Sequence, residues 1–170
     1  LFKSAVRDGD AQRLEAVLTS RPALVARIDD PLFSFGGPAI VAGRRHRKVV
    51  DALLRHGAQI NARSDWWAGG FGVLDGADQE TADFLIARGA VVDVHAAAGL
   101  GMLDRLRELL DADPALALVN AKGGDGQRPL HVARTAGIID LLLDRGAELE
   151  ARDSDHGGTP AQHAVKEPER

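Results

Sequence analysis

Two adjacent tryptophans mark the segment of this chain that has the residue types of a binding or catalytic site. Trp66 and Trp67 are followed by Phe71 and then by an acidic residue, Asp75. Clustered aromatic rings supply a large apolar contact area with defined geometry, which binding sites use heavily. Desolvation beside such rings raises the pKa of a carboxylic acid, as a general acid or base requires. The segment can therefore hold an apolar ligand, contact a partner or support acid–base chemistry.

An earlier segment adds two more aromatic residues, Phe33 and Phe35. Two interpretations of the aromatic residues stay open. The rings either form a satellite core that seals two long loops, or they form a groove for a peptide or a small apolar ligand.

Composition limits the function classes. The chain has 170 residues, of which 45% are hydrophobic and 27% charged, as in ordinary globular proteins. With 25 acidic and 21 basic residues the net charge is -4, which predicts no nucleic-acid partner. The absence of cysteine excludes disulfides and thiolate chemistry, and it favours a cytoplasmic location. No apolar run of about eighteen residues could span a bilayer, so we expect no membrane contact.

Motifs for metals, cofactors and established catalytic sites are not found. Asp153, Asp155 and His156 lie close together, but a calcium loop needs a glutamate at its twelfth position, where Ala164 stands. These residues are therefore interpreted as part of a loop. The sequence also has no nucleophile elbow and no dinucleotide fingerprint. It predicts no metal and no cofactor, and any catalysis would depend on the surroundings of Asp75.

One stretch identifies the architecture. Residues 125–151 read Asp-Gly-Gln-Arg-Pro-Leu-His-Val-Ala-Arg-Thr-Ala-Gly-Ile-Ile-Asp-Leu-Leu-Leu-Asp-Arg-Gly-Ala-Glu-Leu-Glu-Ala. This stretch resembles one repeat of the ankyrin-repeat family. The resemblance implies a helical solenoid that recognises proteins without catalysis, through its loop tips and inner helices.

Weaker repeats extend the pattern over the chain. Gly-Ala pairs at 57–58, 89–90 and 146–147 each follow apolar residues at helical spacing, which predicts left-handed helix caps at these glycines. The first repeat aligns with the fourth at a shift of 92 residues, and the first and third Gly-Ala pairs align at a shift of 89. We infer an ancient block of three repeats that was duplicated.

The predicted fold is an all-α ankyrin-repeat solenoid of about five helix-turn-helix repeats plus a partial C-terminal cap. It forms a single domain over residues 1–170, with approximate repeats 1–34, 35–67, 68–91, 92–124 and 125–155 and a partial repeat 156–170. Each repeat should have an inner helix, a turn, an outer helix and a projecting loop, and the two aromatic segments become neighbouring loops. The chain can also be a section of a longer array.

The resemblance also assigns one inner-helix position. The family has a histidine there that bonds to nearby loop backbone, and in this chain the position holds Lys3, Ile40, Asp75, His95, His131 and Gln162. A structural role is implied for His131 and for His95. Asp75 replaces the imidazole and would stack beside His95, so the pair could orient a water or bind a cation. Alternatively, Asp75 only accepts loop hydrogen bonds.

The predicted function is a non-catalytic protein-recognition module that presents an aromatic-rich concave and loop surface to a protein or peptide. Its predicted contacts are Trp66, Trp67, Phe71, Phe33, Phe35, Asp75 and His95. The alternative is a binding protein for a small apolar ligand, or a modest acid–base enzyme. Its pocket would be formed by Trp66, Trp67, Asp75 and His95, with Asp75 and His95 as catalytic residues. The sequence does not predict an oligomeric state.

Overall fold

The computed structural model describes residues 1–118 and 124–166, and the regular structure of these residues is helical. Their only strand-like pairing is an isolated antiparallel bridge between Phe33 and Gly37. The predicted all-α class is confirmed. The predicted fourth repeat and the partial repeat also include residues 119–123 and 167–170, which lie outside the described residues.

The chain divides into two compact units, which are described separately. Unit 1 comprises Leu1–Trp66, Phe71–Val73 and Gln79–Val91. Unit 2 comprises Trp67–Gly70, Leu74–Asp78 and the described part of Val92–Arg170.

Unit 1 is built from inner and outer helices joined by tight turns. Its helices are α1 (Phe2–Asp8), α2 (Ala11–Ser20), α3 (Pro22–Val25), α4 (Ala39–Ala42), α5 (Arg47–Arg55) and α6 (Gln79–Ile86). The outer helix α2 begins where the Asp10 carboxylate accepts the Arg13 N–H at 2.9 Å, an ordinary N-cap. Apolar residues on one face of this helix are four residues apart, and two of them, Leu14 and Leu18, are buried. This spacing orients the outer helices toward the core.

Unit 2 repeats the same construction. Its helices are α7 (Val94–Gly99), α8 (Leu103–Ala112), α9 (Pro129–Val132), α10 (Ala136–Asp144) and α11 (Pro160–Lys166). Asp93 caps α7 by accepting the Ala96 N–H at 2.8 Å, and Pro129 occupies the first turn of α9. The buried core of this unit consists of Val94, Ala97, Ala98, Leu106, Leu110, Ala117, Leu130, Ile138 and Leu142.

The third repeat departs from the prediction that every repeat has an inner helix. Residues 73–76 form only a turn, after which α6 begins at Gln79. Three glycines, Gly69, Gly70 and Gly72, precede the turn, and Gly76 within it has a φ of +67°. Glycine loses more entropy than other residues on entering a helix, and a left-handed residue ends one. The prediction is therefore wrong for this repeat, and Asp75 lies in a turn.

The predicted left-handed caps are confirmed at all three Gly-Ala pairs. The φ angles of Gly57, Gly89 and Gly146 are +90°, +93° and +88°. At the first pair, the Ala58 N–H donates to the Leu53 carbonyl at 3.0 Å, and the other two pairs repeat this bond. Each glycine closes the last turn of an outer helix.

The Gly57→Ala substitution is expected to lower the free energy of unfolding by about 1 kcal/mol. A Cβ at Gly57 would meet no atom within 4 Å, so the cost comes from the left-handed backbone alone. Gly137→Ala in α10 is the matched control, because its Cβ would make ordinary contact at 3.6 Å with Leu103. Urea unfolding followed by helical circular dichroism compares the two variants. Equal stability of both would contradict the assigned cap.

Hydrogen-bonded side-chain pairs, two of them arginine–carboxylate ion pairs, join successive outer helices within each unit. In every case, the residue before a cap glycine reaches back to an acid of the preceding outer helix. The pairs are His56–Glu15, Arg88–Asp51 and Arg145–Asp111, with nitrogen–oxygen distances of 2.7, 2.6 and 2.6 Å. Hydrogen bonds from Arg55 and His56 hold the pKa of Glu15 below its ordinary value. Because these pairs lie at the surface, they fix the register of the helices more than they add stability.

Candidate functional site

The loop that carries Phe35 is held by backbone hydrogen bonds within unit 1. The Phe33 N–H donates to the Gly37 carbonyl at 2.9 Å, and the Asp65 N–H donates to the Gly36 carbonyl at the same distance. A Cβ on Gly36 would lie 2.8 Å from the Asp65 carbonyl oxygen, so only glycine allows this close approach. The two aromatic segments are therefore joined through their backbones.

The second segment closes on itself in the same unit. The Ser64 N–H donates to the Phe71 carbonyl at 2.8 Å, and the Phe71 N–H donates to Ser64 Oγ at 2.7 Å. The buried Ser64 side chain thus fixes the backbone position of Phe71.

Three rings meet where these segments join. The centroids of Phe35 and Trp66 are 5.1 Å apart with an interplanar angle of 87°, and those of Phe35 and Phe71 are 5.8 Å apart at 55°. Both geometries are favourable for aromatic pairs. Trp66 and Phe71 are half-buried, whereas Phe35 keeps 56% of its surface exposed. We call Phe35, Trp66 and Phe71 the aromatic cluster.

The backbone of Phe35 is in the left-handed region, with φ 58° and ψ 29°. Asp125, which lies 90 residues later in the same kind of turn in unit 2, has φ 61° and ψ 19°. Each of these residues precedes a left-handed glycine, Gly36 or Gly126. Aspartate tolerates this conformation because its short side chain can bond locally, whereas a bulky phenylalanine pays about 1–2 kcal/mol. The fold thus holds Phe35, with its exposed ring, in a backbone conformation that lowers the free energy of unfolding.

The sequence predicts that Phe33 and Phe35 contribute to one aromatic surface, but the structure buries Phe33 and exposes Phe35. Phe33 is only 8% exposed, and its ring centroid lies 6.1 Å from that of Phe2. Lys3 Nζ and the Arg7 guanidinium lie 6.0 and 5.9 Å from the centroid of the Phe33 ring. Phe33 therefore belongs to the core of unit 1 rather than to its surface.

The remaining predicted site residues belong to unit 2. Trp67 is 69% exposed, Asp75 is half-buried in the turn at 73–76, and His95 is buried in α7. The acid–base role of Asp75 and His95 stays a prediction. So does the pocket in which they would combine with Trp66 and Trp67.

The structural role predicted for His131 is confirmed. Its Nδ1 accepts the Arg128 N–H at 3.1 Å, which leaves Nε2 to donate to the Gly158 carbonyl at 3.1 Å. Burial lowers the pKa of His131, which favours the neutral ring that this pattern requires. The side chain holds the loop before α11 against α9.

Asp153 is the residue whose importance the sequence did not reveal. Its Oδ1 accepts the N–H groups of Asp155 and His156 at 3.0 and 2.7 Å, and its Oδ2 accepts the Gly158 N–H at 2.8 Å. The His163 ring adds a fourth bond through Nε2 at 2.9 Å. Burial alone would raise the pKa of Asp153, but the bonds from His163, His156 and Gly158 lower it to about 2. One carboxylate thus organises the loop between α10 and α11.

In residues 1–118 and 124–166, no group of three or more histidine, aspartate or glutamate side chains is placed to hold a metal ion. Among the same residues, no helix is both long enough and apolar enough to cross a membrane.

Comparison with known proteins gives one family and several relatives. The family model described as Ankyrin repeat matches residues 125–154. The mouse protein "Ankyrin repeat and SAM domain-containing protein 6" is 33% identical over 43% of this chain and 8% of its own length. The human "B-cell lymphoma 3 protein" is 42% identical over 36% of this chain and 14% of its own length. This chain therefore spans only a small part of these relatives.

A plant relative aligns with more of the chain. The "Probable E3 ubiquitin-protein ligase XBOS32" of Oryza sativa subsp. japonica is 29% identical over 92% of this chain and 40% of its own length. The matched repeat at 125–154 coincides with α9, α10 and the loop that Asp153 organises. Residues 125–154 are thus matched as an ankyrin repeat, and the all-helical fold of the described residues is consistent with an ankyrin-repeat solenoid.

Proposed function

We propose that the chain is a non-catalytic protein-recognition module and that the aromatic cluster contacts its partner. Ankyrin repeats generally mediate protein–protein interaction. The observation that carries the proposal for this surface is Phe35, a bulky residue in a left-handed backbone conformation with 56% of its surface exposed. Strained residues persist where function requires them, and exposed aromatic rings are typical anchors of interfaces.

The surroundings of the ring support recognition rather than sealing of a loop. The backbone bonds at Gly36, Gly37 and Ser64 already close the two segments without the Phe35 side chain. Trp66 and Phe71 contact the ring, and 56% of the Phe35 surface stays exposed. A ring that is ordered before binding loses little entropy on binding, which favours affinity.

The proposed partner is a protein or peptide segment with an apolar side chain that packs against the exposed part of Phe35. Tryptophan and phenylalanine anchors typically fill apolar pockets surrounded by polar contacts. The net charge of -4 disfavours a nucleic-acid partner, and the cytoplasmic location favoured by the absence of cysteine belongs to the same proposal.

A random peptide library displayed on phage tests this function. Peptides are selected on the parent chain alone and then tested on Phe35→Asp, which places at this turn the residue type of its counterpart Asp125. The expected result is a set of peptides with a shared apolar residue that bind only the parent. Leu149→Asp is the matched control, because Leu149 is 54% exposed in unit 2. Selected peptides that bind Phe35→Asp as well as the parent would contradict the proposal.

A further inference from the structure

Asp65 lies where the two aromatic segments of unit 1 meet. Its N–H donates to the carbonyl of Gly36, which follows Phe35, and the next residue along the chain is Trp66. The Asp65 side chain is therefore attached to the backbone that joins the aromatic cluster. The residue is exposed, and its carboxylate has no hydrogen bond or ion pair with the described residues. An acid whose charge the fold does not use thus adjoins the proposed contact surface.

Another place in unit 1 shows what an aromatic ring and an aspartate bind together. The guanidinium carbon of Arg88 lies 3.5 Å from the centroid of the Phe84 ring. The same guanidinium donates to both carboxylate oxygens of Asp51, at 2.6 and 3.3 Å. A planar guanidinium can stack on a ring and pair with a carboxylate through two parallel bonds, which an ammonium group cannot do. A ring and an aspartate therefore form an arginine site in this chain.

The rings of unit 1 differ in whether the chain supplies their cations. Those of Phe33 and Phe84 each have two cationic side chains over them, at 3.5 to 6.0 Å from the ring centroid. Within residues 1–118 and 124–166, no cation lies over the ring of Phe35. A cation for Phe35 and Asp65 therefore has to come from a partner, and the net charge of -4 favours the approach of a basic segment.

We propose that the partner segment carries an arginine next to its apolar residue, and that this arginine pairs with the Asp65 carboxylate and packs on the aromatic cluster. The aliphatic stem of an arginine covers apolar surface while its guanidinium stays at a charged group. The acid thereby selects basic partners over acidic ones, because like charges at an interface repel each other. This inference rests on the proposed function, since it describes the partner of the same surface.

The peptides from the phage selection on the parent chain supply the probe. Those whose binding depends on Phe35 should share an arginine at a fixed distance from the apolar residue. One of them is labelled with fluorescein, and fluorescence anisotropy measures its affinity for the parent and for Asp65→Asn. A second version of the peptide has citrulline, the neutral isostere of arginine, at that position.

We expect Asp65→Asn to weaken binding of the arginine peptide about tenfold, and citrulline to weaken binding to the parent by the same factor. Asp65→Asn with the citrulline peptide should also show a loss of about tenfold rather than about a hundredfold, because both changes remove one interaction. Asp8→Asn is the matched control, since it removes one charge from unit 1 at a side chain that is 60% exposed. This variant should bind the arginine peptide like the parent.

Three results would overturn this inference and leave the proposed function standing. One is a set of Phe35-dependent peptides that share no arginine. Another is an affinity of Asp65→Asn equal to that of the parent. The third is a combined loss of about a hundredfold, because Asp65 and the arginine would then act separately. If no selected peptide depends on Phe35, the proposed function itself fails, and this inference fails with it.

Discussion

Replacement of Asp153 by asparagine is expected to lower the free energy of unfolding by about 3 kcal/mol. The carboxylate accepts four hydrogen bonds, and its side chain is only 1% exposed. An asparagine keeps one oxygen but directs an N–H group toward donors that need an acceptor. The loop that joins α10 to α11 would lose its internal anchor, and His163 would lose its partner.

The same residue predicts how stability depends on pH. The pKa of Asp153 falls from 3.8 to about 2 on folding, so the ionised carboxylate stabilises the fold above pH 3.8. This contribution, about 2 kcal/mol, is lost as the pH falls from near 4 through 2. The parent should therefore lose stability in this window, and Asp153→Asn should lose less.

Urea unfolding at pH 7, 4 and 2, followed by helical circular dichroism, measures both effects. Asp155→Asn is the control, because the Asp155 carboxylate has a single polar contact with the described residues, to His156 Nδ1 at 3.0 Å, and a loss below about 1 kcal/mol is expected. Equal losses in the two variants would contradict the role assigned to Asp153.

Phe35→Asp is expected to weaken binding of a selected peptide at least about 30-fold, since truncation of an anchoring residue typically costs 2 kcal/mol or more. The substitution removes the exposed ring and retains a residue type that tolerates the left-handed backbone. The only tryptophans are Trp66 and Trp67, so the intrinsic fluorescence reports on this part of the chain. Titration of the parent, Phe35→Asp and the Leu149→Asp control gives the three dissociation constants. A similar constant for all three would exclude Phe35 from the interface.

Local signals in the sequence predicted much of the fold. The caps at Gly57, Gly89 and Gly146 follow from a glycine placed after an apolar helix, because the left-handed geometry depends on a few consecutive residues. The role of His131 followed from the resemblance, since its partners lie in the repeat and the next loop.

Other features depend on contacts that no local pattern encodes. Phe33 and Phe35 differ in burial because Phe33 packs with Phe2 in the core, and the sequence does not show which of the two points inward. Asp153 acquires its role partly through a hydrogen bond with His163. His163 does not occupy the inner-helix position that the family fills with histidine, which holds Gln162 in this repeat.

The left-handed turn at Phe35 had a signal that could have been found. Phe35 and Gly36 lie 90 residues before Asp125 and Gly126, close to the repeat offset of 89, and an Asp-Gly pair is typical of turns with positive φ. The lost inner helix of the third repeat was also visible, in the glycines between Ala68 and Ala77. In both cases the backbone preferences of individual residues, rather than the repeat pattern, determine the local structure.

The free energy of unfolding of Phe35→Asp, compared with the parent, tests most directly whether this ring serves recognition. Loss of the ring contacts with Trp66 and Phe71 should cost about 2 kcal/mol, and relief of the left-handed strain should return about 1–2 kcal/mol. We expect a difference within about 1 kcal/mol, with Phe35→Ala less stable than Phe35→Asp because alanine keeps the strain. A loss of about 3 kcal/mol or more in Phe35→Asp would show that the ring seals the loops of unit 1, and would contradict a recognition role for Phe35.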